Sequence, residues 1–255
     1  MTVVGVLHPG EMGSAVAAAL RGRGETVLWA SAERSEATVE RAREAGLEDG
    51  GGVDELCRRC DVLLSICPPH AALDVARSAS GFEGTYVDAN AISPETARTI
   101  AGLHDRFVDG GIVGPPPLDA GRTRLYLSGP EAEAIAGLFA GTAVDARIIS
   151  AEPGAASALK MAYAGWTKAS AALLLTQRAL ARAEGVEDVL VEEWRLSLPE
   201  LEEEYAAAQR SAHRKGWRWV GEMEEIARSM GAQDLPTGFH EAAADVFRHI
   251  SREES

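Results

Sequence analysis

Basic residues are scarce in this chain, and lysine most of all. The 255 residues include 25 Lys and Arg against 39 Asp and Glu, a formal net charge of −14. That balance excludes an ordinary nucleic-acid binder, which carries a basic stripe to neutralise phosphates. No basic amphipathic segment suits an anionic membrane surface either. Lysine occurs only at Lys160, Lys168 and Lys215. Cysteine is equally rare, at Cys57, Cys60 and Cys67. The Cys57-Arg-Arg-Cys60 spacing is open to a redox or half-zinc reading, but a second CxxC or a His pair is missing nearby. These cysteines therefore read as ordinary thiols, and no metal is expected. Long apolar runs are missing too: none approaches the ~18 residues of a membrane helix. The opening Met1-Thr-Val-Val-Gly-Val-Leu-His-Pro-Gly10 has no basic n-region, apolar h-region or cleavage site, so a cytoplasmic protein is expected.

What is present is a good core-forming composition, 46% apolar, in a chain long enough for about two domains of roughly 100–200 residues. Through residue 150, short apolar runs alternate with helix-like segments. Strands are expected at Val3–Leu7, Thr26–Ala30, Val62–Cys67, Thr85–Ala89, Phe107–Ile112 and Arg124–Ser128. Helices are expected at Gly13–Arg23, Arg34–Ala45, Val53–Arg59, Ala71–Ala79, Pro94–Leu103 and Glu131–Phe139. This alternation predicts an α/β doubly wound, mainly parallel sheet with both faces covered, a Rossmann-type domain over 1–150. Beyond Glu152 the pattern becomes all-helical: Ala155–Gly185, Val186–Ser197, Glu200–Ala212, Trp217–Met230 and Phe239–Ser251. An all-helical second domain is expected over 151–255, which the resemblance described below implies to serve substrate binding and dimerisation. The acidic clusters Glu192-Glu193, Glu202–Glu204 and Glu222–Glu225 read as solvated helix faces.

The first strand runs into His8-Pro9-Gly10-Glu11-Met12-Gly13 and then a helix. A dinucleotide fold places G-x-G-x-x-G here: the middle glycine lets backbone approach the pyrophosphate, and the last packs helix on strand. The helix N-terminus offers free N–H groups and a positive dipole end. His8 replaces the first glycine; the alternative is a tight turn of some other doubly wound fold. An NAD site has an Asp or Glu near the end of the second strand, for the ribose 2′-hydroxyl. Here that end is Ala30-Ser31, followed by Ala32-Glu33-Arg34-Ser35. Ser31, Arg34 and Ser35 suit a 2′-phosphate, so NADP is favoured over NAD, with Glu33 the one contrary charge.

Together these residues resemble the β-hydroxyacid dehydrogenases, the superfamily that includes 6-phosphogluconate dehydrogenase. Gly5-Val-Leu-His-Pro-Gly10-Glu-Met-Gly13 is similar to its first motif, G-F-I-G-L-G-x-M-G. Ser65-Ile-Cys-Pro-Pro69 resembles its proline loop along the cofactor, and Val87-Asp-Ala-Asn-Ala-Ile-Ser-Pro94 resembles V-D-x-S-T-x-S-P near the nicotinamide. Asp109-Gly-Gly-Ile-Val-Gly-Pro115 resembles the substrate loop D-A-P-V-S-G-G. Gly154-Ala-Ala-Ser-Ala-Leu-Lys160 resembles G-x-G-x-x-x-K, the motif that carries the catalytic lysine. The likeness spans roughly residues 3–175. Trp217-Arg-Trp-Val-Gly-Glu-Met-Glu-Glu-Ile226 is similar to an uncharacterised helical domain attached to such nucleotide-binding domains. The resemblance implies an NADP-dependent oxidoreductase acting in an interdomain cleft, and a homodimer built around the long helix Ala155–Gly185.

Residue by residue, the implied cofactor set is His8, Pro9, Gly10, Glu11, Met12, Gly13, Ser31, Arg34, Cys67, Pro68 and Asn90. The implied substrate set is Val113, Gly114, Tyr163, Thr167 and Arg218. Two departures matter. Val113 stands where the family has a carboxylate-binding serine, and Tyr163-Ala164 stand where it has an Asn pair. Arg218 falls near the family's second lysine. A small 3-hydroxy acid is thereby disfavoured as substrate, and an imine becomes the alternative to a carbonyl or hydroxy compound. A non-catalytic NADP-binding protein is the remaining reading.

Reduction of C=O or C=N by hydride leaves a heteroatom that needs a proton, which a lysine of lowered pKa can give as general acid, or take in reverse as general base. Lys160, Tyr163 and Thr167 share a face by helical spacing. The apolar stripe of the same helix is expected through Leu159, Tyr163, Trp166, Ser170 and Leu173. An exposed helix lysine and a core-packed Tyr163 are the plain alternatives. His213 and His240 are further pocket candidates.

Overall fold

The computed structural model describes residues 1–252. Strands and helices alternate from the start: β1 (Val3–Val6), α1 (Glu11–Gly22), β2 (Thr26–Trp29), α2 (Glu36–Glu44), β3 (Glu48–Asp49) and α3 (Val53–Arg59). β4 (Val62–Ser65), α4 (Ala72–Ser78), β5 (Thr85–Asp88), α5 (Pro94–Ala101) and β6 (Phe107–Val113) continue the pattern. β7 (Thr123–Ser128), α6 (Ala132–Leu138) and β8 (Val144–Ser150) complete one eight-stranded sheet of order β3-β2-β1-β4-β5-β6-β7-β8. All neighbours pair in parallel except β6 and β7.

Every residue of β4, β5 and β6 is buried, which is why these strands read as near-continuous apolar runs, broken in β5 and β6 by Asp88 and Asp109. The strand period of two sends neighbours to opposite faces: Leu63 joins a core with Leu28, Leu56, Tyr86 and Ile100, while Leu64 joins one with Val6, Leu20, Val87 and Leu127. Each such Leu contributes about 1.5–3 kcal/mol by leaving water. α5 starts where the sequence sets it, with Ser93 accepting a hydrogen bond from the Thr96 N–H and Pro94 in the first turn.

β3 and β8 were not expected from the sequence. β3 is two exposed residues, Glu48 and Asp49. β8, Val-Asp-Ala-Arg-Ile-Ile-Ser, is a mostly exposed edge strand whose two charges break up its apolar pattern. α1 starts at Glu11 rather than Gly13, and α2 at Glu36 rather than Arg34, which leaves Arg34 and Ser35 ahead of the helix.

The chain forms two compact units, Met1–Lys160 and Met161–Ser255, and residues 253–255, the end of the expected helical domain, lie outside the described residues. α7 (Ala155–Ala183) begins in the first and ends in the second. α8 (Glu187–Ser197), α9 (Leu201–Gly231) and α10 (Gly238–Arg252) follow. α9 is continuous through His213-Arg-Lys-Gly216, where two helices were expected. Gly216 is buried, and packing overrides its cost of about 1 kcal/mol in a helix interior. Met223, Ile226, Ala243, Ala244 and Phe247 are buried in the second unit, where Trp219 meets Phe247 edge-on at 5.0 Å. Lys168 pairs with Glu222 and lies 5.7 Å from the Trp219 ring centre. Among the described residues no helix is long and apolar enough to cross a membrane.

Candidate active site

The chain reverses its winding between β1 and β4, and in a doubly wound sheet the crevice beyond the carboxyl ends of the strands at that point binds ligands. The sequence-expected residues of the first unit gather on this edge. His8–Gly13 follow β1, Ser31 and Arg34 follow β2, Cys67 and Pro68 follow β4, Asn90 follows β5, and Val113 and Gly114 end β6.

The turn after β1 has the form a dinucleotide needs. A Cβ on Gly13 would come 2.4 Å from the His8 carbonyl, so only glycine lets α1 pack this closely. Gly10 has nothing within 4 Å of where its Cβ would be, leaving its backbone open to approach. Gly10 is the N-cap of α1 and no side chain caps that end, the arrangement that suits an anion at a helix N-terminus. The Gly10 N–H donates to the His8 carbonyl at 2.9 Å and closes the turn. His8 is held neutral, its pKa lowered to about 4 by burial and by the charge of Arg34.

Beside this turn the Arg34 guanidinium donates to the carbonyls of Ala30 and Leu7, both at 3.1 Å. Arg41, which sequence reasoning missed, donates to the Pro9 carbonyl at 3.4 Å and to Thr38 Oγ1 at 3.0 Å. Its signal was available: a basic residue in the helix after the second strand. Asp49 was also missed. The end of β2 appears free of acid in sequence, but β3 brings Asp49 to Ser31, whose hydroxyl donates to Asp49 Oδ1 at 2.5 Å. That bond and one from the Gly51 N–H hold the Asp49 carboxyl below its usual range. Two arginines and one carboxylate thus lie beside the turn after β1 and the end of β2.

Asn90 is 2% exposed and its side chain is committed within the protein. Its Oδ1 accepts from the Cys67 N–H at 2.5 Å, and its Nδ2 donates to Ser65 Oγ at 3.0 Å and to Asp88 Oδ2 at 2.8 Å. Asn90 therefore ties the loop after β4 to β5. Complete burial raises the Asp88 pKa to about 7, outweighing the hydrogen bonds from Asn90. Burial likewise pushes the thiols of Cys60 and Cys67 up to about 12, so they stay protonated. The three cysteines are free thiols.

Lys160 Nζ donates to the Ile112 carbonyl at 2.7 Å, at the carboxyl end of β6. Val113 is only 3% exposed, paired with Arg124 in the sheet, whereas Gly114 is exposed at φ +124°, where a Cβ would meet the Arg122 carbonyl at 2.2 Å. Further along α7, Tyr163 is 48% exposed, which overturns its reading as a core aromatic. The expected apolar stripe is open too, with Leu159, Trp166 and Leu173 exposed. The Thr167 hydroxyl donates to its own helix, at the Tyr163 carbonyl. Arg218 lies on α9 with its guanidinium 6.0 Å from the Trp217 ring centre. His240 is buried in the second unit, close against Gly165, and His213 is exposed.

A profile of a domain of unknown function, DUF1932, matches residues 181–250. An uncharacterized 28.5 kDa protein of Methanothermus fervidus, from the 5′ region of its 7S RNA, is 32% identical over 162 residues. That match spans 62% of this chain and 63% of the relative's length. Among solved structures, a conserved protein of unknown function, MTH1747, described as structurally similar to 3-hydroxyacid dehydrogenases, is 29% identical. It aligns over 99% of this chain and 98% of its own, with a TM-score of 0.73. A reductive aminase of Aspergillus terreus, solved with NADPH and ethyl levulinate, is 19% identical over 99% of this chain and 94% of its own, with a TM-score of 0.62. The chain therefore has the fold of the NAD(P)-binding, 6-phosphogluconate dehydrogenase-like superfamily, with a helical C-terminal domain.

Proposed function

We propose that this protein is an NADP-dependent oxidoreductase that reduces a small carbonyl compound, or oxidises the corresponding alcohol, with Lys160 as general acid and base. The observation that carries the reading is the Lys160 ammonium held on the Ile112 carbonyl at the sheet edge that also bears the open turn of α1. NADPH fits the residues present: the uncapped N-terminus of α1 and the bare Gly10 suit its pyrophosphate, and Arg34 and Arg41 suit a 2′-phosphate. When bound, it supplies the hydride. Lys160 Nζ supplies the proton to the oxygen left negative as C=O becomes CH–OH, and takes it back in the oxidative direction. The Ile112 carbonyl orients the ammonium by accepting one of its three N–H bonds. The cofactor-complexed reductase of the same fold supports the cofactor assignment.

A second reading, reduction of C=N, is favoured by one observation. Val113 is a buried apolar side chain at the position where the resemblance implies a carboxylate-binding serine. A substrate without a carboxylate suits it, and the same Lys160 proton would go to nitrogen.

The reading extends to a homodimer. The helical unit carries a groove of about 910 Å³ lined by α7 and α10, with Trp166, Leu173 and Phe239 among its walls. Trp166 is 77% exposed and Phe239 is 79% exposed, which suits cover by a second copy. The test is a fluorescence titration with NADPH and NADH, followed by a panel of hydroxy acids, ketones and cyclic imines. Turnover of ketones or hydroxy acids supports the first reading, turnover of cyclic imines alone the second. NADPH binding without hydride exchange on any of them overturns both.

A further inference from the structure

We propose that Asp109 is the positioning residue for Lys160: its buried carboxylate fixes the first turn of α7 against β6 and so sets where the ammonium sits. The proposal rests on the reading of Lys160 as proton donor. Asp109 lies inside β6 and is 0% exposed. A carboxylate is a costly choice for a strand buried along its whole length, unless every lone pair is used. Here they are used. Oδ2 accepts from the Gly154 N–H at 3.0 Å, the Ser157 N–H at 2.9 Å and the Ser128 hydroxyl at 3.0 Å. Oδ1 accepts from the Ser157 hydroxyl at 2.6 Å. Ser128 Oγ in turn accepts from the Ala156 N–H at 3.0 Å.

Three N–H groups at the start of α7, which the helix itself cannot satisfy, therefore end on this carboxylate and its hydroxyl partner. The negative charge also sits at the positive end of the helix. One turn further on, Lys160 reaches the same strand at Ile112. Asp109 to Ser157 and Ile112 to Lys160 are thus two rungs joining the same two segments. Between the rungs, Gly111 has no side chain: a Cβ there would stand 2.7 Å from the Ala156 carbonyl and 3.2 Å from Lys160 Cβ. The helix rests directly on the strand, so loosening the first rung moves the second.

Lysine scarcity makes the test direct. Reductive ¹³C-dimethylation labels Lys160, Lys168, Lys215 and the N-terminal amine, and each lysine signal is assigned by its Lys→Arg variant. In Asp109→Asn and in Ser157→Ala the Lys160 signal and its titration midpoint shift, while those of Lys168 and Lys215 stay. Misplacement of the proton donor lowers turnover about 10²-fold in Asp109→Asn and less in Ser157→Ala, with NADPH affinity kept within about twofold. If Asp109→Asn does not fold, the milder Ser157→Ala carries the test. An unmoved Lys160 signal in every folded variant overturns the proposal. A shifted signal combined with full turnover of Lys160→Met upholds the positioning and overturns the proton-donor reading instead.

Discussion

The junction of β6 with α7 and the outer face of the helical unit use the same long helix in opposite ways. At the junction, polar groups are buried and each is answered: one carboxylate takes four hydrogen bonds, and glycines let helix and strand touch. On the later turns of α7, apolar groups are left exposed by the described residues, with Leu173 61% exposed. Ions follow the same division. Lys168 is matched by the carboxylate of Glu222, whereas Lys160 is given a neutral carbonyl at Ile112. Glu222 ties Lys168 into the packing of the helical unit, while the role proposed for Lys160 is to pass a proton. The difference sets a cation used for structure beside the one proposed for chemistry.

The largest expected effect tests that separation. Lys160→Met lowers turnover about 10³-fold while NADPH binding measured by fluorescence is unchanged, because the lost group acts on the proton and not on the cofactor. Lys168→Met destabilises the fold by about 3 kcal/mol, since it strands the buried Glu222 carboxylate, and spares turnover per folded molecule. Equal losses of turnover from the two variants would erase the distinction. Next in size is the apolar face. For the proposed homodimer, Trp166→Glu combined with Phe239→Glu gives a monomer in light scattering, raising the dissociation constant at least about 10²-fold, as expected when central aromatic anchors are lost. A pair of variants that stays dimeric removes α7 and α10 from the interface.

Much of this was legible in sequence, for a physical reason. β4, β5 and β6 are buried on both faces, so their apolar runs are unmistakable, and Ser93-Pro94 marks the start of α5 by its capping chemistry. Gly10 and Gly13 announced the turn because only glycine meets its two demands, open approach and close packing. Other features depend on partners distant in sequence. β3 owes its two residues to pairing with β2, and through it Asp49 reaches Ser31, so an acid absent from the strand end in sequence is present in space. The stripe on α7 was read as apolar and is exposed, and core packing of Tyr163, one of its two readings, fails because periodicity gives a face and not what covers it. Asn90 was expected at the cofactor, and nothing local revealed that its side chain would bind the Cys67 N–H.

The adenosine end of the site gives a smaller effect. Arg34→Ala weakens NADPH about tenfold and leaves NADH nearly unchanged, the size of one charge-assisted hydrogen bond to a 2′-phosphate. Arg41→Ala acts in the same direction. Asp49→Asn acts oppositely, since the carboxylate it removes repels the phosphate. Parallel losses for NADPH and NADH would mean that Arg34 serves the β1 and β2 carbonyls alone.

The smallest effect is on stability, where two buried groups oppose each other. Asp88, raised to about 7, keeps in the folded state a proton that the unfolded chain releases above about pH 4, so its contribution to stability falls as pH rises toward 7. His8, lowered to about 4, refuses a proton that the unfolded chain takes up below about pH 6.5, so its contribution falls as pH drops from 6.5 toward 4. The two trends offset each other between pH 4 and 6.5, and each single variant unmasks the other. Relative to the parent, Asp88→Asn gains stability as pH is raised from about 5 to 7, and His8→Gly gains it as pH is lowered from about 6.5 to 4.5. Each shift is on the order of 1 kcal/mol, or about 2–4 °C in melting temperature. Calorimetric curves that run parallel to the parent across both windows would show that neither group keeps its perturbed protonation in the folded protein.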